Sequence, residues 1–173
     1  MQAFADAVLS FLSANPNWLI LIAFAMGFAE TMVVIAIFVP ATVVLVGMGA
    51  LVSTGEIPFW PLFVGATFGA IGGSTTAWWL GWRFHEPVLA SRPFRNRQKE
   101  LDRARRALRK WGLWAVFVGH FLAPLRGPVF LLVGAAAMPI RRFLPVTAAG
   151  SVIWAYVTPK LGELGGRLAA WLF

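Results

Sequence analysis

The stretch from Gly112 to Met138 is almost entirely apolar, yet prolines interrupt it and a single arginine stands near its centre. Pro124 and Pro128 lack a backbone N–H, so neighbouring carbonyls lose partners that hydrocarbon cannot replace. In a bilayer, a cation at that depth costs at least about 2.5–3.5 kcal/mol on insertion scales. Arg126 must therefore face protein, water or an anion, and it is the first candidate for a functional residue.

The composition predicts an integral membrane protein. Hydrophobic residues make up 59% of the 173 residues and charged residues only 13%, whereas a soluble domain carries about 25% charged residues. Long uncharged runs recur, and the length suggests one domain. The chain has no cysteine and only two histidines, His85 and His120. We therefore predict no metal site, and we predict no cofactor.

The positive charge is concentrated in one segment. No Lys or Arg precedes Arg83, and nine of the fifteen lie between Arg92 and Lys110. Cationic loops tend to stay in the cytoplasm, so this segment is placed inside, as a basic surface helix. Apolar spans flank it, which disfavours nucleic-acid binding. The residues predicted to recruit anionic headgroups are Arg83, Arg105, Arg109, Lys110, Arg141 and Arg142.

The lengths of the apolar runs indicate broken helices. Pro40 separates an apolar run over 18–38 from one over 41–52; twelve residues of helix reach only about 18 Å, little more than half a bilayer. Residues 59–82 are long enough to span, and their small residues between Gly65 and Ala77 indicate close packing. Basic pairs flank 113–138, so we predict a re-entrant hairpin broken at Pro124–Pro128. Residues 143–159 then cross outward.

Surface helix, broken hairpin and span thus occur twice. We predict an all-α integral membrane fold, an inverted repeat of amphipathic helix, re-entrant helical hairpin and transmembrane helix, which is a transporter architecture. The single membrane domain covers 1–173. Repeat one spans about 1–83, the basic surface helix about 92–111, repeat two about 112–160 and an amphipathic tail 161–173.

Three motifs in the second half stand in a characteristic order: Gly119-His-Phe-Leu-Ala-Pro-Leu-Arg126, then Val133-Gly-Ala-Ala-Ala-Met-Pro-Ile-Arg-Arg-Phe143, then Gly150-Ser-Val-Ile-Trp154. With Glu30 and the glycine-rich stretch 69–83, they resemble the DedA (VTT-domain) family of membrane proteins. Three polar positions depart from the family pattern: Thr42 and Ser74 replace acids, and His120 replaces the first of two arginines.

The resemblance implies that the chain is a transporter rather than an enzyme. It implies translocation of an anionic carrier lipid, undecaprenyl or another polyprenyl phosphate, across the bacterial inner membrane, by a multi-pass flippase or scramblase. Membrane lipids and polyprenyl phosphate are then its partners, and a homodimer is left open. The alternatives are a proton-coupled exporter of small solutes, a general phospholipid scramblase and, less favoured, a lipid phosphatase or an assembly protein. We predict no catalytic residues.

A lipid phosphate that crosses hydrocarbon needs a compensating charge. Arg126 offers a permanent cation and a planar fork of donors, and free N–H groups at a helix start near Pro128 would act on the same anion. A purely structural pair of Arg126 with Glu30 is the alternative, and a lone histidine in an apolar arm, such as His120, is more often a satisfied core residue. The predicted substrate-binding residues are Arg126, His120, Thr42 and Gly127, and the predicted proton-coupling residues are Glu30 and His120.

Overall fold

The structure, a computed structural model, describes residues 2–32, 39, 41–89, 98–121 and 123–172, and these residues form an all-helical fold without strands. The all-α prediction is confirmed. A short 3-10 helix, Pro16–Trp18, joins the first two of eight α-helices in this part of the chain. These are α1 (Gln2–Ala14), α2 (Leu19–Thr31), α3 (Ala41–Thr54), α4 (Phe59–Leu89), α5 (Gln98–Trp111), α6 (Leu113–Gly119), α7 (Ala123–Ala135) and α8 (Ile140–Leu172).

The first helical break comes earlier than predicted. The apolar run over 18–38 was expected to continue to Pro40, but α2 ends at Thr31 and Met32 is extended, with ψ 110°. Thr31 Oγ1 donates to the Phe28 carbonyl at 2.9 Å, a bond that competes with the helix ladder. The β-branched residues that follow Met32 also disfavour helix. Pro40 itself lies outside the described residues.

The second break was also predicted at the wrong place. Pro124 and Pro128 do not break the helix. Pro124 lies in the first turn of α7, and Pro128 lies inside α7. The turn instead follows α6, where Phe121 N–H donates to the Val118 carbonyl at 3.0 Å. Proline suits a first helical turn, because its missing N–H would have no intrahelical partner there. The chain does reverse, since a Cβ on Gly119 would touch Val129 at 3.4 Å.

The last helix is continuous where two elements were expected. Residues 143–159 and 161–173 were assigned to a span and a separate tail, but α8 runs from Ile140 to Leu172 with Pro145 and Pro159 inside it. A helix-interior proline removes one backbone hydrogen bond. At Pro159, close packing accompanies this loss, because the Pro159 carbonyl faces Gly49 of α3.

Within the described ranges, no helix combines the length and the apolarity that crossing a membrane requires. Residues 59–82 and 143–159 are helical as predicted, within α4 and α8, but neither stretch meets this requirement.

Glycines let α2 and α4 pack at very short range. Gly65, Gly69 and Gly73 of α4 face the carbonyls of Ile20, Phe24 and Phe28 of α2 in the same order, so the two helices run parallel. The predicted small-residue face of α4 is confirmed. Helices α6 and α8 also run parallel: His120, just after α6, packs against Gly150 and Ser151, and the preceding residues of both helices, within 113–117 and 145–149, line one groove.

Two further crossings use a glycine from each helix. Where α4 crosses α7, Gly81 faces the Leu131 carbonyl and Gly134 faces the Trp78 carbonyl. Where α3 crosses α8, Gly162 faces the Val46 carbonyl and Gly49 faces the Pro159 carbonyl. The two crossings use equivalent positions. Trp78 and Gly81 of α4 have the same spacing as Pro159 and Gly162 of α8. Val46 and Gly49 of α3 have the same spacing as Leu131 and Gly134 of α7.

The buried side chains form two clusters that share α4 and α8. The N-terminal cluster, from α1 to α4 and α8, includes Leu12, Leu19, Leu45, Leu62 and Trp154. The C-terminal cluster, from α4 and α6 to α8, includes Trp78, Val116, Val129, Phe130 and Phe143.

We predict that Gly69→Ala destabilises the protein, since its Cβ would collide with the Phe24 carbonyl. Overpacking of this kind costs about 1–3 kcal/mol. Gly165→Ala is the matched control, because nothing lies within 4 Å of a Cβ there; it should gain about 0.5–1 kcal/mol of helix stability. Thermal unfolding of both variants in detergent checks this, and equal melting temperatures would contradict the packing described for α2 and α4.

Candidate functional site

Arg126 lies where the two clusters meet. It is the fourth residue of α7, and it is only 1% exposed. Its guanidinium carbon lies 4.0 Å from the centroid of the Trp154 ring of α8. Trp154 belongs to the N-terminal cluster, whereas Val129 and Phe130, on the next turn of α7, belong to the C-terminal cluster. The cation thus packs on an aromatic face, a contact that gains strength when it is desolvated.

The guanidinium of Arg126 has unused donors. Nε and Nη2 are buried and have no hydrogen-bond partner among the described residues. A buried donor without a partner costs about 1–3 kcal/mol, and more when it is charged. The planar fork of a guanidinium matches the oxygens of a carboxylate or phosphate. An anion that reached these two nitrogens would remove the cost.

The start of α7 adds to the same positive region. The helix begins at Ala123, so Arg126 lies in its first turn, where backbone N–H groups have no intrahelical partner. The predicted helix start at Pro128 is therefore wrong by about one turn. The following residue, Gly127, is buried beside Arg126.

Glu30 and Thr42 come together, although twelve residues separate them. Thr42 Oγ1 donates to Glu30 Oε1 at 2.6 Å, which ties the end of α2 to the start of α3. The Glu30 carboxylate also acts on Arg126 through its charge. It makes no hydrogen bond to Nε or Nη2 of that residue. In this state, Thr42 is thus the hydrogen-bond partner of the acid.

His120 lies in a buried polar network between α4, α6 and α8. Its Nδ1 lies 3.1 Å from the Val116 carbonyl, and its Nε2 lies 3.1 Å from Thr147 Oγ1 and 3.2 Å from Ser151 Oγ. Thr147 Oγ1 in turn donates to Ser74 Oγ at 3.2 Å. A carbonyl only accepts, so Nδ1 carries the proton and Nε2 is the acceptor. Both ring nitrogens of His120 are therefore engaged in this state.

Ser74 completes the network on α4. It donates to the Ala70 carbonyl at 2.5 Å and is fully buried. Thr147, Ser151 and Trp154 were not predicted as site residues. Their spacing of four and three residues, which places them on one face of α8, was the available signal.

The residues predicted to recruit headgroups are distributed over three helices. Arg83 is exposed near the end of α4, with its guanidinium carbon 5.5 Å from the Phe84 ring centroid. Arg109 and Lys110 are exposed in the last turn of α5, and Arg141 and Arg142 in the first turn of α8. The side chain of Arg105 lies outside what the structure describes.

The comparison with known families agrees with the motifs. The VTT domain family matches residues 39–164. The chain belongs to the VTT-domain family. The resemblance to the DedA (VTT-domain) family is therefore confirmed. Among the relatives of this VTT-domain chain is inner membrane protein YabI of Escherichia coli (strain K12), 27% identical over 169 residues, which cover 98% of this chain and 64% of YabI.

Two uncharacterized membrane proteins are similar as well. That of Mycobacterium tuberculosis (strain CDC 1551 / Oshkosh) is 36% identical over 140 residues, 77% of this chain and 64% of the relative. That of Synechocystis (strain ATCC 27184 / PCC 6803 / Kazusa) is 32% identical over 129 residues, 73% of this chain and 59% of the relative. This VTT-domain chain thus spans about three fifths of the length of these relatives. No solved structure matches.

The hydroxyls of Thr147 and Ser151 both lie beside His120 Nε2, and we predict that they are coupled energetically, because Thr147 can turn its single proton from Ser74 to Nε2 when Ser151 is lost. Thr147→Val and Ser151→Ala each leave one hydroxyl beside Nε2, so each single change should cost under about 1 kcal/mol. The double variant leaves a buried acceptor without a partner and should cost about 1–3 kcal/mol more than the sum. Chemical or thermal unfolding of the four proteins measures the coupling. Strict additivity would mean that the network is not as described.

Proposed function

We propose that this chain translocates an anionic carrier lipid, a polyprenyl phosphate such as undecaprenyl phosphate, across the bacterial inner membrane. The observation that carries the proposal is the buried guanidinium of Arg126, with Nε and Nη2 free of hydrogen-bond partners among the described residues. A lipid phosphate supplies the charge and the oxygens that these donors lack. The headgroup would be held at Arg126 while its lipid crosses.

The membrane setting of the proposal rests on the relatives and on the composition. YabI is named an inner membrane protein, and the two other relatives are named membrane proteins. We propose a multi-pass protein in which the helix pairs α2–α3 and α6–α7 are re-entrant. Broken helices at membrane depth are tolerated where they are buried in protein or line a cavity.

We further propose that the fold is an inverted repeat. In support, α2 and α4 run parallel, as do α6 and α8. The glycine crossings of α4 with α7 and of α3 with α8 also recur at matching intervals. In this arrangement each repeat contributes one helix end to the junction. The first repeat contributes the end of α2 with Glu30, and the second contributes the start of α7 with Arg126. Inverted repeats in transporters bind substrate at such junctions.

Glu30 is proposed as the proton-coupling residue, with His120 as the second candidate. The carboxylate is half-buried, and it accepts a hydrogen bond from Thr42 while acting on Arg126 by charge. Loss of its charge would leave Arg126 as an uncompensated cation and strengthen its attraction for phosphate.

General phospholipid scrambling and proton-coupled export of small solutes are the alternatives that transport measurements would separate. A buried cation argues against a cationic solute.

We predict that Arg126→Ala lowers polyprenyl-phosphate translocation at least about tenfold, because two charge-assisted hydrogen bonds are worth about 1.5–3 kcal/mol each. The assay follows polyprenyl phosphate and a zwitterionic phospholipid in liposomes, with and without a pH gradient. Arg126→Lys keeps the charge but loses the fork, so it should fall between the native chain and Arg126→Ala. Equal rates for native and Arg126→Ala would reject the site, and faster phospholipid transport would favour the scramblase.

We predict that Glu30→Gln removes the response of transport to a pH gradient, since a neutral amide cannot exchange a proton. Glu30→Asp should retain a response, and Thr42→Val should alter it less, because the carboxylate survives there. The same liposomes, assayed across a series of imposed pH gradients, provide the measurement. A Glu30→Gln protein with the native rate and pH response would remove the coupling role.

A further inference from the structure

The two unused donors of Arg126 lie on one edge of its guanidinium. Nη2 is the terminal nitrogen trans to Cδ, so one of its N–H bonds runs alongside the Nε–H bond. Both nitrogens are buried and have no hydrogen-bond partner among the described residues. Two parallel donors match two oxygens of one carboxylate or phosphate, which is a bidentate contact. This free edge, formed by Nε and Nη2, therefore fits a single anion with two oxygens.

The Trp154 ring occupies a face of the same guanidinium. Its centroid lies 4.0 Å from the guanidinium carbon of Arg126, and Trp154 is only 7% exposed. A cation over an aromatic ring is attracted by the face of its π-system. The N–H donors of a guanidinium lie in its own plane. The ring can thus fix that plane without using either donor of the free edge.

The helices that carry this contact are enclosed on both sides of it. On α7, residues 126–134 are all buried. On α8, Ala155 next to Trp154 is fully buried, and the carbonyl of Pro159 faces Gly49 of α3. Side chains in such interiors sit in fixed rotamers. A guanidinium without the ring would sample more orientations, and ordering it on binding would cost entropy.

Trp78 of α4 offers a comparison within the same fold. It is 8% exposed, and its ring stacks against Trp82 and Phe143, with centroids 6.1 Å apart in each pair. Among the described residues, no Lys or Arg lies over the Trp78 ring. The two tryptophans are equally buried, so they separate the effect of losing a packed ring from the effect of losing the contact with a cation.

We propose that Trp154 is a positioning residue for phosphate: by packing on Arg126, it holds the free edge ready for two oxygens of one phosphate group. This inference rests on the function proposed above and adds how the headgroup is held. A fork that is oriented in advance loses less entropy on binding. A lysine presents a point charge, which gains little from a fixed plane. The ring should therefore matter for arginine at position 126 and much less for lysine.

A cycle of variants tests this dependence on the full chain. Isothermal titration calorimetry in detergent measures the affinity for farnesyl phosphate of the native chain, Arg126→Lys, Trp154→Leu and the double variant. We expect each single change to weaken binding at least about fivefold. The double variant should be weaker than the native chain by about tenfold or less, whereas independent effects would give about twenty-five-fold. Trp154→Phe keeps an aromatic face and should lose only about twofold.

Trp78→Leu is the matched control. It removes an equally buried ring and should leave the ratio of affinities between arginine and lysine at position 126 unchanged. Thermal unfolding in the same detergent reports separately on folding, and Trp154→Met, which retains more of the length of the side chain, takes the place of Trp154→Leu if that variant does not fold. Independent effects of the changes at positions 126 and 154 would overturn the inference, as would native affinity in the Trp154→Leu protein.

Inorganic phosphate separates the headgroup from the lipid. It offers the same oxygens without a hydrocarbon chain, so its weaker binding should show the same coupling between Arg126 and Trp154. Coupling with farnesyl phosphate alone would overturn the positioning role. Equal affinities for the two ligands would instead assign the site to free phosphate, which rejects the proposed translocation and leaves the positioning role standing. Independent effects in the cycle, together with slow transport by Arg126→Ala, would reject the positioning role alone.

Discussion

The site is governed by a buried arginine with two donor nitrogens that have no hydrogen-bond partner among the described residues. The Trp154 ring, from the N-terminal cluster, covers the guanidinium of Arg126, and the next turn of α7 belongs to the C-terminal cluster. The cation–π contact offsets part of the desolvation, but it supplies no acceptor for Nε or Nη2. A fold that keeps a permanent cation in this condition retains an unsatisfied attraction for anions, and the proposed lipid phosphate is the anion that a membrane offers.

The surrounding helices keep the site from relaxing. Glycines at the α2–α4, α4–α7 and α3–α8 contacts bring backbones so close that a Cβ would collide with a carbonyl across each contact. Close-packed contacts of this kind do not adjust gradually. The hydrogen bonds of the His120 network join α6 to α4 and α8. Among the residues that the structure describes, Arg126 is the buried cation of the site.

The sequence predicted the elements better than their ends. Hydropathy and small-residue patterns predicted the helices at 59–82 and 143–159 and the close face of α4, because both signals are local. The breaks were misplaced because proline is tolerated in the first turn of a helix, as at Pro124, and within a long packed helix, as at Pro159. Arg126 was predicted from its cost in hydrocarbon. Its contact with Trp154 joins residues 28 positions apart, which no local pattern reveals.

Binding of a lipid phosphate to the purified chain tests the role of Arg126. Native mass spectrometry with farnesyl phosphate, and with farnesol as the uncharged control, measures it for native protein and Arg126→Ala. We expect farnesyl phosphate to bind the native chain at least about tenfold more tightly than it binds Arg126→Ala, while farnesol binds both proteins alike. Equal binding of farnesyl phosphate to the two proteins would contradict it.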